Sequence, residues 1–212
     1  MQVVTQLYQI DGCQSVLREE FVNNKNKWEL TDTQTETSII KDGYYWLNNK
    51  SSSRWNYYKL NAPIKLDQDF MLDASIELLK NNQFGHFGLV WGFDKEISVL
   101  NRFTLSADGK RAVIMQFDRN HQPVYHRFQT RTFPKVEPNK PIRFTVIKLG
   151  EYFHFLLNTH NIYMVHQSQL IQAGHYVGYY IEPNISIRSK YIEIKKIKSN
   201  ELTAATGLTQ LL

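Results

Sequence analysis

Two sets of side chains have types and spacings that could do chemistry. The first is an acid pair, Asp73 and Glu77, in the run Phe70-Met-Leu-Asp-Ala-Ser-Ile-Glu-Leu-Leu79. Cleaving a glycosidic bond takes two flanking carboxyl groups, ~5–5.5 Å apart for retention or ~6.5–9.5 Å for inversion. On a strand, residues four apart share a face, so Asp73 and Glu77 point the same way with Ser75 between them. No third acid stands at that central position. The pair reads as exposed residues on a polar sheet face, and no catalytic residue is assigned. The second set is aromatic and polar: Trp46, Trp55, Asn56, Tyr57 and Tyr58 within one segment, with His86 and Arg102 further on. A sugar ring offers an apolar C–H face and a rim of hydroxyls, so its site wants an exposed aromatic platform and planar polar groups. These seven are the candidate ligand-binding residues. Alternation puts Trp55 and Tyr57 on one face and Asn56 and Tyr58 on the other. Trp55 and Tyr57 could equally be core, because a sandwich needs large inward residues on every strand.

Other chemistries find less support. Asp42, Asp67, Asp69, Asp94 and Asp108 stand singly at turns, where aspartate caps the backbone. His121, His126, His154, His160 and His166 lack a His-Glu-x-x-His or cysteine-rich spacing. No metal and no cofactor are therefore expected. Cys13 is the only cysteine, and no Gly-x-Ser-x-Gly elbow is present. Gly85, Gly88 and Gly92 lie in or beside a strand and do not open a helix, so they make no phosphate cradle.

The elements that must position these groups are strands. From Phe84 to Phe117 the chain reads as three strands and two turns: Gly88 to Phe93, Asn101 to Leu105, an Asp108-Gly109 turn, and Ala112 to Phe117. Upstream, Ser38 to Lys41 and Tyr44 to Leu47 flank Asp42-Gly43 as a hairpin. Downstream, Val124 to Thr130, Ile142 to Leu149, Tyr152 to Asn158, Ile162 to His166, Tyr176 to Ile181 and Tyr191 to Ile197 alternate. The segment from Phe133 to Pro141 holds three prolines and reads as a loop. Ser168 to Ala173 is the only helical turn expected. The fold class is all-β, a two-sheet antiparallel β-sandwich of the jelly-roll kind with very little helix. Connections of hairpin type should keep chain neighbours together in space. Trp28, Trp91 and Phe155 are the expected core. Residues 1–13 form an extension or edge strand, 14–198 one sandwich domain, and 199–212 a tail or linker.

Bulk properties agree with one ordered domain. The chain has 212 residues, 42% hydrophobic and 13% aromatic, enough to bury a core without staples. Net charge is +5, from 25 basic and 20 acidic residues spread along the chain. A nucleic-acid footprint is normally a concentrated patch, so no nucleic-acid partner is expected. No window approaches 18 apolar residues, so no membrane partner is expected. The first residues lack a signal-peptide pattern, so the expectation is a cytoplasmic location or else a processed chain.

Several stretches together resemble the concanavalin A-like, or laminin G-like, jelly rolls. Phe21-Val-Asn-Asn-Lys-Asn-Lys-Trp28 is similar to the opening of that group, and Gly43-Tyr-Tyr45 to its next strand. Gly88-Leu-Val-Trp-Gly-Phe93 resembles its core strand, Phe153-His-Phe-Leu-Leu-Asn158 the strand ending in Asn-Gly, and Val177-Gly-Tyr-Tyr180 the penultimate strand. Thr159 stands where that group usually has glycine. The resemblance implies a sandwich over residues 18–197 and a lectin, glycan-binding, glycosidase or protein-interaction role. The Glu-x-Asp-x-x-Glu strand of its glucanases is absent. The expectation is a lectin-like, non-enzymatic module that binds a carbohydrate. The alternative is a protein-interaction or scaffolding module of a cytoplasmic assembly, so the partner is a glycan or another protein.

Overall fold

The alternating segments become strands. The computed structural model describes residues 13–62, 68–80, 85–93, 99–117, 137, 139–170 and 174–197, and the backbone alone at 61 and 123–130. The expected extension apart from Cys13, most of the proline loop and the expected tail lie outside these residues. So do Asp67, Asp94 and His121 and the side chain of His126.

In chain order the strands are β1 (Gln14–Glu19), β2 (Thr31–Asp32), β3 (Glu36–Lys41), β4 (Tyr44–Asn49) and β5 (Asn56–Asn61). Then come β6 (Phe70–Lys80), β7 (His86–Phe93), β8 (Leu100–Ser106), β9 (Arg111–Phe117) and β10 (Pro123–Thr130). The last are β11 (Pro141–Leu149), β12 (Tyr152–Leu157), β13 (His160–His166), β14 (Tyr176–Ile181) and β15 (Ile185–Lys196). A 3-10 turn, Gln167–Gln169, overlaps only the start of the helical turn expected over Ser168 to Ala173, and residues 171–173 lie outside the described ones.

Two antiparallel sheets result. One has nine strands in the order β13-β12-β11-β6-β15-β4-β3-β2, with β1 also on β15. The other has six, β10-β9-β8-β7-β14-β5. Hairpins join β3 to β4, β7 through β10, and β11 through β13, as chain proximity predicts. The rest of the path corrects that expectation. β14 fits between β7 and β5, and β6 between β11 and β15, all remote in sequence. A chain that must bury one face of each sheet switches sheets at β4–β5, β5–β6, β6–β7, β10–β11, β13–β14 and β14–β15 instead. β15 is long enough to hold β4 along Ile185–Ser189 and β1 along Ile192–Lys196 on one edge, with β6 on the other.

Inward residues meet between the sheets. Trp91 lies 5.6 Å from Phe155, which lies 5.3 Å from Phe103, which lies 5.5 Å from Phe144. A second aromatic group joins Phe21, Trp28, Tyr45 and Tyr179, with Tyr179 hydroxyl 2.7 Å from Ser189 Oγ. Trp28, Trp91 and Phe155 are all buried, as the sequence predicts.

The hairpin between β3 and β4 turns on Asp42 at φ 55° and Gly43 at φ 69°. Positive φ at both central residues matches the right-handed twist of the strands, and an L side chain resists it. Gly43→Ala is expected to lower stability by about 1 kcal/mol, read as a drop in the urea midpoint.

Asp73 and Glu77 correct the reading of an exposed polar face. Both are buried on the outside of the nine-stranded sheet, under side chains that lie across them. Asp73 accepts from Arg143 Nε at 2.7 Å, Thr145 Oγ1 at 2.7 Å and Tyr191 hydroxyl at 2.9 Å. Glu77 accepts from Arg188 Nε at 2.8 Å and Nη2 at 2.6 Å. Each carboxylate is matched by its own arginine.

Candidate functional site

Alternation sends every second residue of the six-stranded sheet away from the core. The pairing aligns these outward residues in rows across the strands. One row runs Val113, Thr104, Gly88, Tyr180, Tyr57, and the next Met115, Arg102, Val90, Gly178, Lys59. Gly92 sits at φ 67°, and the register with β14 slips between Tyr176 and Val177. This bulge breaks the alternation and turns Phe93 outward beside Tyr57, 5.4 Å away.

The face is concave. Trp55, just before edge strand β5, lies 6.3 Å from Phe117 on β9. Those strands are four neighbour steps apart, about 19 Å in a flat sheet, too far for two rings to bridge. The sheet therefore curls around its outer face. Trp55 also lies 5.7 Å from Tyr57 and 5.7 Å from Tyr180, so the rings form one connected lining.

Polar groups are set into that lining. The Arg102 guanidinium lies between Tyr180, 4.5 Å from its centroid, and Phe117, at 4.9 Å. Its Nη1 is 3.7 Å from Glu182 Oε1. Glu182 also accepts from the His86 backbone N–H at 3.0 Å and from Tyr180 hydroxyl at 3.2 Å, and lies 3.3 Å from His86 Nδ1. Burial pushes the Glu182 carboxyl up, but the His86 hydrogen bonds and the Arg102 charge outweigh it and leave its pKa below the usual range. The Tyr180 phenol is pushed well up, first by burial, with Arg102 opposing. Lys59 Nζ lies over Tyr57, Phe93 and Tyr176 at 4.6, 4.7 and 5.9 Å, a cation–π arrangement on three rings. Glu182 is the carboxylate set into this lining, and a second, Asp108, stands at the β8–β9 turn, where it accepts from Ser106 Oγ at 2.6 Å.

Of the seven candidates, the structure brings Trp55, Tyr57, His86 and Arg102 together here. Three stand elsewhere. Trp46 lies on the outside of the opposite sheet, with Tyr44 at 6.3 Å and the Arg188 guanidinium at 5.2 Å. Tyr58 is core, 2% exposed, because the alternation of β5 points it inward. Asn56 shares that parity and donates to Glu36 between the sheets. Phe93, Phe117, Tyr180 and Glu182 complete the site and were not singled out from the sequence. Strict alternation places Phe93 inward with Trp91, so only the slip at Gly92 reveals it. The Tyr179-Tyr180 pair did carry a signal, since adjacent residues of a strand cannot both face the core.

The comparisons with known proteins speak to shape. No protein-family model and no curated protein sequence matches the chain. Solved structures do. A Bacillus subtilis protein of unknown function with a galectin-like fold superposes with a TM-score of 0.63 at 11% identity, covering 88% of this chain and 98% of that one. A Bacillus licheniformis β-glucanase gives 0.64 at 8% identity, covering 86% and 97%.

The chain has the concanavalin A-like jelly-roll fold.

Another jelly-roll match is the CBM2 module of the evolved Dit protein of Lactobacillus casei phage J-1, with a TM-score of 0.56 at 11% identity, covering 88% and 96%. At such identities the likeness is one of fold, and this jelly roll's own side chains must carry any functional argument.

Proposed function

We propose that this protein is a non-catalytic carbohydrate-binding module that takes its ligand on the concave outer face of the six-stranded sheet. The observation that carries the reading is the lining itself: Trp55, Tyr57, Phe93 and Phe117, each only partly buried, around the polar cluster of Arg102, His86 and Glu182. An aromatic face takes up the C–H face of a pyranose, and the convergent polar groups select its hydroxyls. The CBM2 module and the β-glucanase among the similar structures lend support, since the same architecture serves sugars there. Hydrolysis would take a second free carboxyl set against the first. Asp108, however, is held in the β8–β9 turn by Ser106 Oγ at 2.6 Å and the Lys110 backbone N–H at 3.0 Å. Glu182 is held by Arg102 and His86.

Isothermal titration against neutral and acidic oligosaccharides tests the reading. At least one glycan is expected to bind. Trp55→Ala is expected to weaken that binding by about tenfold, the effect of losing ~1.4 kcal/mol of stacking, while unfolding stays cooperative. No binding to any glycan would overturn the proposal. New reducing ends on incubation with a bound glycan would overturn its non-catalytic part.

A further inference from the structure

We infer that residues 1–12, which lie outside the described ones, dock on the outer face of the nine-stranded sheet and close an apolar patch there. The inference stands apart from the carbohydrate reading, which concerns the other sheet. Its starting point is a cluster separate from the main core: Met71, Ile147, Leu156 and Ile197, with Cys13 and Leu149 packed against it. Strand pairing sets most of these side chains in two rows. Met71 on β6 pairs with Ile147 on β11, Ile147 with His154 on β12, and His154 with Met164 on β13. In the next row Asp73 pairs with Thr145, and Thr145 with Leu156. Both rows have the parity of Asp73, so they face away from the space between the sheets.

An outward side chain of an antiparallel sheet meets water unless something lies over it. Ile147 and Leu156 are 0% exposed and Met71 3%, whereas Met164 at the edge of the same patch is 50% exposed. The charged neighbours are drawn to partners in the sheet, Arg143 to Asp73 and Lys195 to Glu193. His154 repeats the observation. Its Nδ1 is shut off from solvent, and burial holds the imidazole below its usual pKa. Two undescribed segments begin at this cluster, residues 1–12 before Cys13 and residues 198–212 after Ile197. The first brings large apolar side chains close by, since Val4, Leu7, Tyr8 and Ile10 all lie within nine positions of Cys13. The second runs Lys198-Ser-Asn-Glu-Leu-Thr-Ala-Ala-Thr-Gly207, with Leu202 its one large apolar residue in that stretch. Reach is ample. From β6 to β13 is three strand steps, ~14 Å, and twelve extended residues span up to ~40 Å. The driving force is the removal of apolar area from water on both surfaces.

Cys13 is the only cysteine of the chain and packs on the patch, so its reactivity reports the cover. Alkylation of the folded full-length chain by iodoacetamide, read by mass spectrometry, tests the inference. Tyr8→Ser with Ile10→Ser is expected to speed Cys13 alkylation about tenfold and to bring on binding of a dye that reports exposed apolar surface. Leu202→Ser with Leu208→Ser is expected to change the rate less than about twofold. The same holds for Gly43→Ala, which loosens the molecule elsewhere. A measurement on the parent chain serves if the Tyr8/Ile10 variant does not fold. Chymotrypsin is expected to cut the parent after Leu7 and Tyr8 about tenfold more slowly than it cuts a synthetic peptide of residues 1–12. An unchanged alkylation rate in the Tyr8/Ile10 variant, or cleavage as fast as in the peptide, would overturn the inference. An equal rise in the Leu202/Leu208 variant would give the patch to residues 198–212, and an equal rise in Gly43→Ala would mean general loosening; either overturns it.

Discussion

Phe155→Ala is expected to lower the unfolding free energy by about 3–5 kcal/mol, the range for removing a buried phenylalanine ring. Phe155 is fully buried where the sheets meet, 5.3 Å from Phe103, 5.6 Å from Trp91 and 6.4 Å from Phe153. These neighbours come from β8, β7 and β12, and rings anchored on separate strands cannot all collapse into the space left behind. A domain of this size has only about 5–15 kcal/mol to lose, so the change is a large share of the whole. Urea unfolding followed by tryptophan fluorescence is the measurement, with the midpoint expected to fall at an unchanged slope. Phe155→Leu, which keeps most of the volume, should cost less than about 1.5 kcal/mol. An alanine variant as stable as the parent would mean that the two sheets do not share this core.

The second large effect lies on the opposite side of the molecule. Asp73→Ala is expected to destabilise by about 3 kcal/mol, because it removes the centre of a buried ionic network. The Asp73 side chain is 2% exposed and satisfies Arg143, Thr145 and Tyr191 together. Without it the Thr145 hydroxyl and the Arg143 guanidinium each lose a partner 2.7 Å away. The Arg143 side chain is 36% exposed and can regain water, which holds the loss near the lower end of the range for broken buried pairs. A second readout separates this from general loosening. The Tyr191 phenol is pushed above its ordinary pKa by burial and then by the Asp73 charge. Removing that negative charge should let Tyr191 ionise at lower pH, visible in a spectrophotometric titration. Glycan affinity should not change, since Asp73 lies on the sheet opposite the proposed site. A variant of parental stability, or a tyrosine titration that does not move, would contradict the network.

Much of the architecture was legible because strand alternation is a local property. The run from Gly88 to Phe117 announces β7, β8 and β9 by its own period and its Asp-Gly turn, and needs no knowledge of the rest of the chain. Trp28, Trp91 and Phe155 could be assigned to the core for the same reason. The candidate site was legible only in part. Composition pointed to Trp55, Tyr57, His86 and Arg102, but it could not separate them from Trp46, Asn56 and Tyr58, which have the same chemistry. Choosing among them requires knowing which face of which sheet each residue occupies, and that depends on strands far apart in sequence. Asp73 and Glu77 show the same limit. Period alone puts both on an outer face, but the arginines that cover them come from β11 and β15.

The sequence by itself determined an all-β chain, its turns, and the parity of the side chains along regular strands, because each depends on neighbours a few residues away. Tertiary structure alone decided that β14 lies between β7 and β5, that the Gly92 bulge turns Phe93 outward, and that the sheet curls until Trp55 approaches Phe117. The physical reason is that strand order, register slips and curvature are set by non-local backbone pairing and by packing between two sheets, neither of which leaves a mark in any short window of sequence.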